Sequence, residues 1–248
     1  MIRRKVSKAQ IRQEKDFRWR GGDVSRVEGF SDAVFAFAIT LLVVSLEVPD
    51  SFEELARTMK GFVAFGVTFI GIVAIWHAHY KFFRRYGLED NATIILNAGL
   101  LLVVMFYIYP LKFLATMLIS YGILQGLLGI DMQANVAFHA GQASQLMLIY
   151  SSGFLVIFLI FMLLYFHAYR QRESLKLNAV ECLKTKISIF YNAILASVAV
   201  LSILIVLIGG DKSAALAGWV YGLVGPVMTL FGIMSGKRLQ KLKAEQVV

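Results

Sequence analysis

The chain has 248 residues, 58% of them hydrophobic, with a mean hydropathy of +0.68 and a formal net charge of +9. A soluble globular chain averages about 45–50% apolar residues, so this composition excludes an ordinary water-soluble fold. The basic excess would suggest nucleic acid in a soluble protein, but here the basic residues lie between long apolar blocks. The single cysteine, Cys182, excludes an internal disulfide and a multi-cysteine metal site.

The N-terminal segment, residues 1–27, holds nine Lys or Arg and three Asp or Glu, with apolar residues interleaved. This pattern favours a helix on the membrane surface or a segment that only anchors the topology, and the sequence does not separate the two.

Apolar blocks of the length that crosses a bilayer, about 20 residues as a helix, fill most of the remaining chain. They predict an all-α membrane protein with a six-helix domain over residues 28–236 and a basic tail over 237–248. The predicted spans are 30–48, 62–80, 92–119, 146–166, 187–208 and 214–234.

The basic residues alternate between successive connections, which fixes the predicted orientation. Of the 25 Lys and Arg, 21 lie in the N-terminal segment, after the second and fourth blocks, and at the C-terminus. Short cytoplasmic connections collect Lys and Arg, so both termini are predicted to be cytoplasmic. The connection 120–144 contains neither residue and is predicted to face outward, with residues 121–130 forming an interfacial helix or a re-entrant segment.

Ionisable residues within or beside a membrane span are costly, so they mark candidate functional positions. The sequence places few of them there: Arg26, Asp32, Glu47, His77, His79 and Lys112.

The start of the first block reads Arg26-Val27-Glu28-Gly29-Phe30-Ser31-Asp32. It resembles the Arg-x-x-x-Phe-Ser-Asp signature that opens the pore helix of endolysosomal potassium channels, the transmembrane protein 175 family, and of their bacterial and archaeal relatives. The segment from Trp76 to Phe83 is similar to the family's Trp-x-x-His-x-x-Phe region. Asn97 and Pro110 match its third helix, so the resemblance covers about the first half of the chain.

The resemblance implies a homotetramer whose first helices line a central K⁺ pathway, with bulky apolar side chains at its constriction and no carbonyl filter. The filter sequence Thr-Val-Gly-Tyr-Gly is indeed absent from the chain. No cofactor is implied, and the expected partners are K⁺ or other monovalent cations, bilayer lipid and further copies of the chain.

Helical spacing gives the first span one apolar stripe, formed by Val34, Phe37, Leu41, Val44 and Val48, with Thr40 beside it. Such a stripe usually faces lipid or a packed core, but the signature favours a pore wall. We expect Phe37 and Leu41 to form the constriction of the pore. Val44 follows one turn further along the helix, and Thr40 contributes a ring of polar hydroxyl groups. Relatives usually carry Ile or Leu where Phe37 stands, so its ring narrows the pore, rotates aside, or shifts the narrowest point to Leu41.

The signature residues Arg26, Phe30, Ser31 and Asp32 are predicted to have a structural role. Arg26 and Asp32 are six residues apart, too far to pair within one straight helix. The expected partners are Trp76, His77 and His79, at the same end of the second span. The histidines also allow a pH-sensing or metal-binding interpretation, although their i, i+2 spacing points the two rings to different faces and argues against a shared metal.

Two acidic residues, Glu47 and Asp50, close the other end of the first span. They are expected either to draw cations toward an outer mouth or to form a solvated helix end. Lys112 is expected to extend its amine to the interface rather than to take part in transport.

The sequence therefore favours a potassium-selective cation channel. A secondary cation transporter or proton-coupled exchanger is the alternative, and it would need charged residues near the bilayer midplane. A non-conducting membrane scaffold is a third possibility. The motifs of an enzyme active site are absent from the sequence.

Overall fold

A computed structural model describes residues 16–44, 50–118 and 141–245, and these residues form helices and their connections. The predicted features at Glu47, at Val48 and over most of the connection 120–144 lie outside the described residues, as do residues 1–15 and 246–248.

Five long helices come first in the chain. They are α1 (Arg26–Val44), α2 (Phe52–Tyr86), α3 (Asn91–Leu118), α4 (Gln142–Arg170) and α5 (Ala179–Gly209). A 3-10 turn, the short helix α6 (Ala214–Trp219), a second 3-10 turn and α7 (Val224–Glu245) complete the described chain.

The observed helices extend beyond several of the predicted spans, and one predicted span is divided. Helix α2 begins at Phe52, ten residues before the expected start at residue 62. The sixth block, expected as one helix, is divided by the 3-10 turn at Val220–Leu223. Pro226 follows this turn by three residues, and its missing N–H removes one helical hydrogen bond there.

Four described segments are long and apolar enough to cross a membrane: Phe62–Tyr86, Asn91–Met117, Gln142–Arg170 and the 67-residue segment Ala179–Glu245. The last would measure about 100 Å as one straight helix, against a hydrocarbon core of about 30 Å. It instead folds back on itself after Gly210, whose positive φ of 57° suits glycine, so that α7 packs against α5. Helix α1 is not among the four segments, so the count of six spans stays a prediction.

The helices pack around one apolar core. Helices α4 and α5 form the most extensive pair, and α3 lies between α4 and α2. Gly153 of α4 permits a close approach, since a Cβ there would lie 2.3 Å from the ring of Tyr107 on α3. Helix α1 packs on α2 and α3 at the edge of this bundle, which leaves its other side open.

A buried ion pair joins the segment before α1 to the start of α5. Arg20 Nη2 lies 2.7 Å from Glu181 Oε2, and their side chains are 14% and 1% exposed. Glu181 also accepts a hydrogen bond from the backbone N–H of Arg18 at 2.7 Å, and forms a capping box with Asn178 at the start of α5.

The same end of the bundle collects the other basic segments. The backbone N–H of Arg20 donates to the carbonyl of Arg84 at the end of α2, and Lys243 of α7 pairs with Asp16. The four segments rich in Lys and Arg therefore meet at one end of the bundle, called the basic end below.

We predict that Glu181→Gln destabilises the protein strongly, because Arg20 keeps a buried charge without its counter-charge. Breaking one partner of a buried pair costs about 3–5 kcal/mol, which corresponds to a fall in melting temperature of roughly 6–20 °C for a chain of this size. Thermal unfolding in detergent measures this.

The matched control is Glu173→Gln, because Glu173 is 88% exposed and its contact with Arg172 is 3.4 Å long. An exposed pair contributes little, so this control should melt within about 2 °C of the parent protein. Equal shifts for the two variants would contradict a structural role for the Arg20–Glu181 pair.

Candidate functional site

Helix α1 has two different faces along its length. Ser31, Phe35, Ala38 and Leu42, spaced by three or four residues, are at most 2% exposed and lie against α2 and α3. About 100° around the helix, Phe30 is 64% exposed and Phe37 is 53% exposed. One face of α1 is therefore fixed in the bundle, and the other is uncovered in the single subunit.

The predicted constriction residues lie on or next to the uncovered face. Phe37 and Thr40 are exposed, and Leu41 is half-buried. The Thr40 hydroxyl donates to the carbonyl of Ala36 at 2.9 Å, which leaves the lone pairs of its oxygen available to accept. Val44 ends α1, and its side chain is outside the described residues.

A shallow groove of about 460 Å³ runs beside this face, between α1 and α3. Phe30, Ala33, Val34 and Phe37 line it from α1, and Leu101, Leu102 and Met105 are among its residues on α3. Its wall is almost wholly apolar, so it suits a hydrophobic side chain or lipid rather than a polar ligand.

Two sets of hydrogen bonds hold the start of α1 against the neighbouring helices. Trp76 Nε1 of α2 donates to Asp32 Oδ1 at 2.8 Å. Asn97 Nδ2 of α3 donates to Ser31 Oγ at 2.9 Å, and His79 Nε2 of α2 lies 2.9 Å from Asn97 Oδ1.

The buried set has one consistent arrangement of protons. Asn97 Oδ1 can only accept a hydrogen bond, so His79 donates from Nε2. The Ser31 hydroxyl donates a hydrogen bond to the carbonyl of Val27 at 2.7 Å. His79 Nδ1 is then an unprotonated ring nitrogen, and it has no hydrogen-bond partner in the described part of the chain. A ring that is 1% exposed is better accommodated neutral than charged.

The remaining signature residues lie apart from these bonds. Arg26 is exposed at the first turn of α1, and Ser25 and Glu28 form a capping box around it. His77 points away from α1, because it is one residue, about 100°, from Trp76 and two residues from His79. It is exposed and lies beside the ring of Tyr80, with 6.3 Å between ring centroids.

The other charged candidates lie elsewhere. Asp50 is exposed just before α2, and Glu47 is outside the described residues. Lys112 is half-buried in α3, two residues after Pro110. Within the described ranges, no three His, Cys, Asp or Glu side chains lie close enough together to hold a metal ion.

Sequence reasoning did not identify what Asn97 joins. A lone asparagine in an apolar block indicates a hydrogen bond across helices, but its partners come from α1 and α2, 66 and 18 residues away.

Asp90 was also overlooked, although an Asp-x-x-Thr start is a recognisable N-cap. Partial burial raises the pKa of Asp90, but hydrogen bonds from Thr93, His167 and Gln171 outweigh this and hold it below its ordinary value.

We predict that Asn97→Leu destabilises the protein, because it leaves the buried Nε2–H of His79 without an acceptor and removes the donor to Ser31 Oγ. An unsatisfied buried group costs about 1–3 kcal/mol, so the melting temperature in detergent should fall by roughly 2–12 °C.

Thr68→Val is the matched control on α2, where the buried hydroxyl donates to the carbonyl of Ala64 in its own helix at 2.9 Å. Removing that hydroxyl should leave the melting temperature unchanged or slightly raised. If Asn97→Leu melts no lower than the control, the hydrogen bonds of Asn97 do not hold α1 in place.

Comparison with known proteins places the chain among potassium channels. The sequence profile of the family described as "Endosomal/lysosomal potassium channel TMEM175" matches residues 26–107, a range that includes Ser31, Asp32, Trp76, His79 and Asn97. Over 243 residues the chain is 40% identical to a protein named potassium channel from Marivirga tractuosa, covering 96% of this chain and 98% of that protein. It is 34% identical over 105 residues to a potassium channel of Chamaesiphon minutus, covering 39% of this chain and 52% of that one.

Two solved structures share the fold. A crystal structure of a variant of the potassium channel MtTMEM175, in complex with a Nanobody-MBP fusion protein, matches with a TM-score of 0.80 at 40% identity, covering 90% of this chain and 98% of that one. The crystal structure of a lysosomal potassium-selective channel TMEM175 homolog from Chamaesiphon minutus matches with a TM-score of 0.51 at 25% identity, covering 85% and 96%. Because the similarity runs along nearly the whole of both chains, this protein is a multi-pass integral membrane protein that belongs to the TMEM175 family.

Proposed function

We propose that the protein is a potassium-selective cation channel whose conduction path lies along the uncovered face of α1. The observation that supports this most is the contrast between the two faces: hydrogen bonds and packing hold one side, while Phe37 remains 53% exposed on the other. A pore needs such an arrangement, in which a rigidly held helix presents side chains to a shared axis.

The pore we propose is formed by four copies of the chain, with α1 of each at the centre. A single uncovered helix cannot enclose a pathway, whereas α1 helices from a ring of subunits can. The apolar groove between α1 and α3 offers a contact surface for the neighbouring copy, and Ala33 and Ala98 allow helices to approach closely there.

Each subunit is proposed to cross the membrane six times, with α1 as the first crossing and both termini in the cytoplasm. This topology is supported by the meeting of the four Lys- and Arg-rich segments at the basic end, since such segments remain cytoplasmic. Glu47 and Asp50, beyond the opposite end of α1, then lie at the outer mouth, where a ring of carboxylates would concentrate cations.

Phe37 and Leu41 form the constriction in this proposal, and Thr40 supplies its polar layer, with Val44 on the outer side. A narrow apolar ring excludes water and forces an ion to lose hydration, which gates the pore by dewetting. The hydroxyl oxygen of Thr40, one turn from Phe37, is the polar atom nearest in sequence that can replace part of the lost hydration. The relatives named as potassium channels support K⁺ as the permeating ion.

We predict that Phe37→Ala raises K⁺ flux and lowers the preference for K⁺ over Na⁺, because a wider ring requires less dehydration. The measurement is ion flux into liposomes that contain the purified protein, under K⁺ and Na⁺ gradients in turn. An increase of roughly tenfold corresponds to a barrier lowered by about 1.4 kcal/mol.

The control is Phe190→Ala, because Phe190 is 60% exposed on α5 and is not part of the proposed pore. Its flux should match that of the parent protein. If neither the parent nor Phe37→Ala carries flux above empty liposomes, the protein is not a channel. Flux that saturates at low K⁺ and requires a proton gradient would favour the secondary transporter.

We predict that Thr40→Val lowers the ratio of K⁺ to Na⁺ flux while leaving total flux within a few-fold of the parent. Valine keeps the size of the side chain but removes the oxygen that can accept an ion. Thr229→Val is the control, because the exposed Thr229 of α7 makes the same bond to the carbonyl four residues earlier, at 2.8 Å. Equal flux ratios in the two variants would remove Thr40 from the selectivity mechanism.

A further inference from the structure

The outward side of helix α7 changes its chemistry along the helix. Val227, Leu230 and Met234, spaced by three and four residues, share one side of α7 and are all exposed. Lys237 and Lys241 continue this side at the same spacing, and both are exposed as well. These five residues form a single surface, called the α7 face below, which is apolar up to Met234 and cationic from Lys237 onward.

The other side of α7 is the one that packs against the protein. Ser235 is buried and Leu239, four residues later, is half-buried, and both lie on the wall of a cavity that α2, α4 and α5 also line. Lys243 pairs with Asp16 in the segment before α1. Helix α7 packs on α5, whereas α1 packs on α2 and α3. The α7 face therefore points out of the bundle and is separated from α1 by other helices.

The cations beside and on the α7 face are not neutralised within the described part of the chain. The side chains of Lys237, Arg238 and Lys241 form no ion pair and no hydrogen bond with another residue there. Glu245, one turn after Lys241, is exposed and does not pair with it. Like charges one turn apart on a helix repel each other. Three such charges within little more than one turn therefore favour an anion beside them.

The change from apolar to cationic lies at the depth expected for lipid headgroups. Ala214 and Met234, the limits of the sixth apolar block, are 20 residues apart, which is about 30 Å at 1.5 Å per residue. A hydrocarbon core has about the same thickness. Lys237 lies three residues, or about 4.5 Å, beyond Met234. Lys237 is thus level with the phosphates of one leaflet when Leu230 and Met234 contact its acyl chains.

We propose that the α7 face binds an anionic phospholipid from the leaflet at the basic end. Its phosphate lies among Lys237, Arg238 and Lys241, and an acyl chain lies along Leu230 and Met234. A soluble acidic protein could reach the cations but not the apolar residues that precede them on the same face. A zwitterionic phospholipid would bring a further cation to a place that already holds three, whereas an anionic one adds only negative charge.

The test cross-links the α7 face to the lipid that covers it. Met234→p-benzoylphenylalanine places a photoreactive side chain at the boundary between the two halves of the face. The full-length protein is reconstituted into liposomes of phosphatidylglycerol with phosphatidylcholine in excess, and mass spectrometry counts the adducts of each lipid after illumination. The ratio of phosphatidylglycerol to phosphatidylcholine adducts should exceed the ratio in the bilayer at least fivefold. Adducts in the bilayer ratio would overturn the proposal.

The matched position is Ile208→p-benzoylphenylalanine. Ile208 is exposed near the end of α5, and the basic end lies at the start of that helix. Its adducts should follow the bilayer ratio. Equal enrichment at Ile208 and Met234 would mean a general attraction of anionic lipid to the protein and would overturn the proposal. Cross-links from position 234 to another protein chain instead of lipid would do the same, because a neighbouring copy would then cover the face.

The cations are tested with Lys237→Gln and Lys241→Gln together, in the protein that carries the photoreactive residue at position 234. Each cation near an anionic membrane surface contributes roughly fivefold to affinity, so the enrichment should fall at least fivefold. Lys176→Gln with Lys186→Gln is the matched control, because it removes the same charge from exposed residues at the basic end that are not on α7. Equal losses in the two double variants would show only general attraction to charge and would overturn the proposal.

Glycerol phosphate, the headgroup without acyl chains, separates a lipid site from an anion site. At millimolar concentration it should leave the phosphatidylglycerol adducts at position 234 unchanged, because it cannot use the apolar half of the face. Full displacement would mean that the cations bind a free anion and would overturn the lipid proposal. All of these measurements count lipid adducts and not ion flux, so their outcome is independent of the proposed channel activity.

Discussion

The position of α1 depends on one buried amide. Asn97 of α3 donates to Ser31 of α1 and accepts from His79 of α2, so three helices share one side chain that is 3% exposed. In a membrane, apolar contacts do not distinguish helix neighbours from lipid tails, so hydrogen bonds and close packing decide which faces meet. With this face of α1 held, the face with Phe37 is left for another contact.

The resemblance in the first half of the chain predicted the family and a pore along α1, and the comparisons confirmed the family. Spacing alone could not say which face of α1 is buried. Val34, Phe37 and Leu41 form one apolar stripe, while Phe35, Ala38 and Leu42 form another about 100° around the helix. In a bilayer an apolar stripe can face either lipid or protein. Periodicity therefore does not identify the buried face, as it does in a soluble helix. Ser31, on the same side as Phe35, is the polar residue that marks the buried face.

The long-range contacts could not be predicted from the sequence for a different reason. Arg20 and Glu181 are separated by 161 residues, and each reads locally as a charged residue near a membrane surface. The sequence indicates only the Asn178-x-x-Glu181 capping box. It does not indicate the contacts of Glu181 with Arg18 and Arg20. The break in the sixth block lies just before Pro226, but Pro110 lies inside the unbroken helix α3, so a proline alone did not predict it. His77 was grouped with Trp76 and His79 because of its depth, although one step along a helix is enough to turn a side chain to another face.

Helix α2 faces α1 and α3 on one side and a cavity of about 820 Å³ on another. Trp76 and His79 face α1 and α3, whereas Ala74, His77, Lys81 and Arg85 line the cavity. A molecule in that cavity therefore touches the same helix that holds Asp32, through its opposite side. Contact alone does not produce coupling, because an occupant shifts an equilibrium only by the difference in its affinity for the two states. An occupant would therefore affect α1 only if the cavity differs between two states of the protein.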